Sequence, residues 1–122
     1  MSARSLLLAF LVAGCALIDG PVAIRTRAQP NTVCMAARVG GILVADPTFG
    51  LAFKNSDDDL EYVNGAVWPY GFSARRENGV ILLIGPGGQV VAHEGDRMQA
   101  AGGSVGDDAV NVDCDISVLP ER

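Results

Sequence analysis

The chain reads as an all-β protein, a small OB-like β-barrel of five to seven short strands, with an open β-sandwich as the alternative. Three observations lead there. Within residues 66–103, apolar runs are short and are separated by turn chemistry at Asn78-Gly79, Gly85-Pro86-Gly87-Gly88 and Glu94-Gly95-Asp96, the pattern of a strand meander. The Gly40-Gly41 pair interrupts a strand pattern over residues 35–45, where a bulge or bend lets a small barrel turn its corner. The run Val80-Ile81-Leu82-Leu83-Ile84 does not alternate, which marks a strand covered on both faces in the middle of the domain.

Composition bounds the partners. At 122 residues the chain holds one domain with a modest core, which a covalent staple would help. Its 15 glycines follow no period and sit between apolar runs, so they are turn punctuation rather than a low-complexity repeat. The formal net charge is -5 and Lys54 is the one lysine, which argues against nucleic acid as a partner, because neutralising a phosphate backbone takes clustered Lys and Arg.

Taken in order, the chain begins with a targeting segment. Arg4 is followed by an uncharged stretch over residues 5–18 that is shorter than the ~20 apolar residues of a transmembrane helix. A secretory signal fits better. Leu11-Val12-Ala13-Gly14-Cys15 resembles the lipobox of bacterial lipoprotein signals. That resemblance implies cleavage after Gly14 and diacylglyceryl modification of the Cys15 thiol, with the membrane as the partner of the anchored chain. Each buried methylene contributes about 0.8 kcal/mol and one acyl chain holds only marginally, so two chains on one residue make a stable anchor. An ordinary secretory signal that happens to contain a Cys, or an uncleaved anchor, are the competing readings.

Three cysteines in an exported chain leave one without a partner. If Cys15 carries lipid, Cys34 and Cys114 remain as a disulfide pair that would stabilise the fold by about 2–4 kcal/mol. Two separate buried thiols are the alternative. Residues 15–33, with Pro21, Pro30, Arg25 and Arg27, read as a lipidated Cys and a tether with solvated charges, carrying at most a short edge strand over residues 22–24. The expected division is therefore a signal at 1–14, a tether at 15–33 and a β-domain at 34–122.

Within that domain, Asp46-Pro47-Thr48 turns the first strand into a return over residues 49–53. Lys54 to Asp59 is expected to be a polar loop that ends the pairing. Its three consecutive Asp residues do not have the alternating ligand spacing of a calcium loop, so no metal site is assigned. A strand over residues 60–66 runs into Val67-Trp68-Pro69-Tyr70-Gly71-Phe72. If exposed, Trp68 and Tyr70 form a candidate binding surface for a sugar ring or a peptide; if buried, they plug one end of the barrel.

Asn78-Gly79 predicts a type I′ hairpin turn joining residues 72–76 to 80–84. Pro86-Gly87 predicts a type II turn with positive φ at Gly87. Strands follow at 89–93 and 97–101, Gly102-Gly103-Ser104 is expected to break the second, and residues 115–119 are expected to close the domain. Asp113 and Asp115 flank Cys114 and read as the blunting charges of an edge strand. His93 has Glu94 and Asp96 nearby in sequence, but there is no second His for a metal and no Ser or Cys in a nucleophile motif. It reads as a strand-end residue, and a small hydrolase built on it is the remote alternative.

Gly40-Gly41, Trp68-Pro69-Tyr70-Gly71, the hairpin over residues 79–91, and Glu94-Gly95-Asp96 followed by Gly102-Gly103 together resemble a family of small, uncharacterised bacterial exported proteins and lipoproteins. The resemblance implies a small all-β domain in the cell envelope and supplies no activity. The functional expectation is a non-catalytic envelope module, without catalytic residues, cofactor or metal, that binds an envelope protein or a glycan. A purely structural envelope domain is the second reading.

Overall fold

A computed structural model describes residues 18–121, which hold ten strands and no helix. The expected signal segment and Cys15 lie outside the described residues. Two short strands come first, β1 (Gly20–Val22) and β2 (Arg25–Thr26). Five further strands, β3 (Ala37–Asp46), β4 (Gly50–Asp57), β5 (Leu60–Trp68), β9 (Arg97–Ser104) and β10 (Ala109–Val118), join edge to edge as a ring of hydrogen bonds. The ring runs β3-β4-β5-β10-β9 and back to β3. Its closure is the parallel pairing of β10 with β5, where Ala109, Val110 and Asn111 stand opposite Gly65, Ala66 and Val67. Every other step in the ring is antiparallel. The expectation of an all-β fold is met, with a closed ring of hydrogen bonds in one sheet, and the ten strands exceed the five to seven expected.

The remaining strands, β6 (Ser73–Glu77), β7 (Val80–Ile84) and β8 (Val90–His93), are inserted in sequence between β5 and β9. With β1 they form a second sheet in the order β1-β6-β7-β8. Ile81, Leu82 and Leu83 are buried in succession, as the non-alternating run predicts, because β7 is interior to its sheet and both of its faces are covered. One apolar cluster takes Leu43, Leu51, Phe53 and Val112 from the ring and Ala74, Ile81, Leu83 and Ala92 from the second sheet. The two sheets therefore share one core.

Gly40-Gly41 bends β3 as expected. Residues 37–42 of β3 pair with β9, and residues 42–46 pair with β4. Both glycines hold positive φ, +152° and +143°, in a region closed to side-chain-bearing residues. A Cβ on Gly40 would overlap the Met98 carbonyl, and one on Gly41 would press on the Asn55 amide, which donates instead to the Gly40 carbonyl at 2.8 Å.

Six expectations of detail are corrected. Residues 54–57 extend β4 instead of forming a loop, and Asp58 and Asp59 alone make the turn, at φ +46° and +69°. Asp tolerates the left-handed region, so the acidic run is a two-residue hairpin. Gly88, at φ +86°, carries the positive φ expected of Gly87. Gly102-Gly103 continues β9 rather than breaking it, since a Cβ on Gly102 would strike the Asn111 carbonyl of β10 and glycine is what lets the strands close the ring. The closing strand starts at Ala109, six positions before the expected 115.

The fifth correction concerns the tether. From residue 20 onward it is a strap across the fold: β1 pairs with β6 in one sheet and β2 pairs with β5 in the other. The Arg25 guanidinium lies 4.6 Å from the Phe49 ring centroid. Arg27 is paired with Asp113, whose other carboxylate oxygen accepts the Met35 N–H at 2.9 Å. Asp113 is therefore a buried acceptor and no blunting edge charge, while Asp115, at φ +55° beyond a bulge, is exposed. Cys34 and Cys114 are joined as a disulfide with their Cα atoms 6.1 Å apart. The strap ends covalently fixed to β10.

Candidate functional site

The two halves of the expected aromatic surface part company. Trp68 is 0% exposed and packs between Phe53, edge-on at 5.5 Å, and Phe72, stacked at 6.3 Å. It plugs the core, and a platform including it is not assembled. Tyr70, in the turn after β5, is 53% exposed and stands without its expected partner. The sequence pattern was ambiguous here because a strand ending in Trp-Pro directs the ring by register, and register follows from the pairing of β5 with β4 and β10.

His93 serves a joint. Its backbone N–H donates to Asp96 Oδ2 at 2.8 Å, closing the Glu94-Gly95-Asp96 turn, while its imidazole is largely exposed, with Nδ1 3.6 Å from the same carboxylate. The turn stitches the sheets together. Glu94 accepts the Ile81 N–H of β7 at 3.1 Å, the Gly95 N–H donates to the Leu43 carbonyl of β3 at 2.7 Å, and the Leu43 N–H donates to the Asp96 carbonyl at 2.9 Å.

The arrangement that sequence reasoning missed lies on the outer face of the ring. Ile42 stands directly opposite Lys54 on β4 and Arg97 on β9, and Lys54 stands opposite Val63 on β5. Directly opposed residues share a face, so Arg97, Ile42, Lys54 and Val63 form one outward row in which cations and aliphatic side chains alternate. The Leu119 N–H, donated to the Arg97 carbonyl at 2.7 Å, extends the row by one more aliphatic residue. Further along β3, Arg38 shares the outward face. Between Arg38 and Ile42 lies the Gly40-Gly41 bend, and the surface there opens into a groove of about 420 Å³. Gln99 and Ser56 add neutral hydrogen-bonding groups to its wall.

Charge is distributed selectively around this groove. Arg25 lies on Phe49, Arg27 pairs with Asp113 and Arg75 pairs with Glu77 at 3.0 Å. Arg38, Lys54, Arg76 and Arg97 form no ion pair among the described residues, and all of these except Arg76 line the groove. The signal was legible only in part: Arg38, Lys54 and Arg97 are scattered in sequence and converge only once the register is known. Among the described residues no group of three or more His, Cys, Asp or Glu is placed to hold a metal ion. Comparison with protein families, with characterised proteins and with solved structures finds no significant match to this chain.

Proposed function

We propose that this chain is an exported envelope lipoprotein, anchored through Cys15, whose β-domain is a non-catalytic binding module. The observation that carries the reading is the joining of Cys34 to Cys114, which accounts for two of the three cysteines and leaves Cys15, in its lipobox-like Leu11-Val12-Ala13-Gly14-Cys15 context, as the remaining thiol. Disulfides persist in oxidising, extracytoplasmic compartments, which agrees with an exported chain. The first strand begins at Gly20, so an anchor at Cys15 leaves only residues 16–19 as spacer and holds the domain close to the membrane surface.

Metabolic labelling with a palmitate analogue, followed by membrane fractionation, tests the anchor. Label on the wild-type chain that disappears in Cys15→Ser, with release of the variant from the membrane fraction, is the expected result. Label that persists in Cys15→Ser overturns it. Crosslinking in intact cells tests the module: a reproducible envelope partner is expected, and its absence under conditions that trap other envelope complexes favours an inert structural domain.

A further inference from the structure

We infer that the groove across β4, β3 and β9 is a binding site for a linear anionic glycan, a chain of sugar or polyol units bearing carboxylates or phosphates. The inference rests on the reading of the domain as a binding module and assigns that module its site and ligand class.

Charge supplies the first reason. On a chain of net charge -5, the ion pairs inside the fold use up other arginines and leave Arg38, Lys54 and Arg97 unneutralised around one depression. Like charges brought together at a surface repel, and an acidic protein has carboxylates to spare for neutralising them. A site that keeps three cations open is arranged for an anion from outside.

Spacing supplies the second. Lys54 and Arg97 are separated by β3, so their backbones are about 10 Å apart, two strand spacings. Arg38 lies four residues along β3 from Ile42. One small anion held between Lys54 and Arg97 leaves Arg38, about 13 Å along β3, unused, whereas a chain with repeated charges meets all three. The groove is an open trough, which suits a polymer that enters sideways.

The surface between the cations supplies the third. Ile42, between Lys54 and Arg97, and Leu119 beyond Arg97 offer aliphatic floor to the carbon face of a sugar ring, and Gln99 and Ser56 offer donors and acceptors to hydroxyl groups. Among the described residues no aromatic side chain lines the groove, so base stacking, which contributes about 1–3 kcal/mol per base in single-stranded nucleic-acid sites, has no platform from them there.

Binding is measured by calorimetry at low salt on the full exported chain, purified from whichever cell fraction retains it, with oligogalacturonate and inorganic polyphosphate as probes. We expect saturable binding of oligogalacturonate, weakened by added salt; binding of polyphosphate alone, which has no sugar face to rest on Ile42, overturns the glycan. Lys54→Gln together with Arg97→Gln should weaken it at least tenfold, and Arg38→Gln several-fold. Arg76→Gln, which removes an unpaired cation outside the groove, should change it less than twofold. Ile42→Glu places a repelling charge between the cations and gives a second variant in case the double substitution disturbs folding, which the fluorescence of buried Trp68 reports. No binding of either probe overturns the proposal, as does an equal loss in Arg76→Gln. Groove-dependent binding to phosphatidylglycerol vesicles without binding to either polymer also overturns it, by assigning the cations to lipid headgroups. These outcomes are independent of palmitate labelling at Cys15. A reproducible crosslinked partner together with no binding of either polymer would overturn the groove and leave the module reading standing.

Discussion

Arg27 and Asp113, 86 positions apart, meet as an ion pair where the N-terminal strap crosses β10. The two ends of this pair are unequally buried: the Asp113 side chain is 1% exposed and that of Arg27 is 25% exposed. Removing one partner strands the other, so the cost depends on which one stays. Arg27→Ala leaves a buried carboxylate with the Met35 N–H and a long contact from Asn31, and should destabilise the domain by about 3 kcal/mol. Asp113→Asn leaves an arginine that can turn to water and keeps an acceptor for Met35, and should cost about 1–2 kcal/mol. Urea unfolding midpoints measure both, and a larger loss in Asp113→Asn than in Arg27→Ala would contradict the burial asymmetry.

The disulfide works on the same joint. It spans 80 positions, for which loop-closure entropy sets an upper value of about 4.5 kcal/mol. The strap is also held by Asp113 and by the pairing of β1 and β2, so native contacts near the bridge persist after reduction. Reduction, or Cys34→Ser with Cys114→Ser, should lower stability by about 2–4 kcal/mol while the far-ultraviolet β signature remains. Alkylation of both thiols in the unreduced exported protein would show that the bridge does not form.

What the sequence made legible was local. Asn78-Gly79 announced its turn because a type I′ hairpin needs positive φ at both central residues, and both have it, at +52° and +80°. Ile81, Leu82 and Leu83 announced a doubly covered strand because three consecutive apolar residues cannot all face one side. The strap and the cationic row were hidden for the opposite reason. Arg27 reads as a tether charge until Asp113 is found beside it, and Lys54 reads as the start of a polar loop until β4 is seen to continue through Asp57. Pairings over such distances are fixed by which strands meet, and hydrophobic pattern sets register only where one face is buried. The outward face at Lys54 carries no such pattern.

Trp68 gives an optical check on the core. With its ring fully buried between Phe53 and Phe72, its emission should be blue-shifted and resist quenching by acrylamide until the domain unfolds. Trp68→Ala should cost about 3–5 kcal/mol, the range for truncating a buried aromatic side chain. Red-shifted, freely quenched emission from the folded protein would place the ring at the surface and restore the Trp68-Tyr70 platform.

The Glu94-Gly95-Asp96 turn and the Gly40-Gly41 bend both depend on glycine, and for different reasons. Gly95 holds φ +96° with no neighbouring atom within 4 Å of an added Cβ, so Gly95→Ala meets backbone strain alone and should cost about 1–2 kcal/mol. At Gly40 the added Cβ also overlaps the Met98 carbonyl of β9, and relief requires the two strands to separate. Gly40→Ala should therefore destabilise more than Gly95→Ala. It should also weaken binding in the groove, because β3 and β9 carry Arg38 and Arg97 on either side of the bend. Glu94→Ala provides the control for the turn itself: it deprives the Ile81 N–H of its acceptor at about 1–2 kcal/mol, while Glu94→Gln keeps a carbonyl oxygen there and should restore most of the loss. Thermal unfolding of the set, with probe binding measured on each folded variant, separates the two effects: Gly95→Ala and Glu94→Ala should lower Tm and leave binding intact, and Gly40→Ala should lower both.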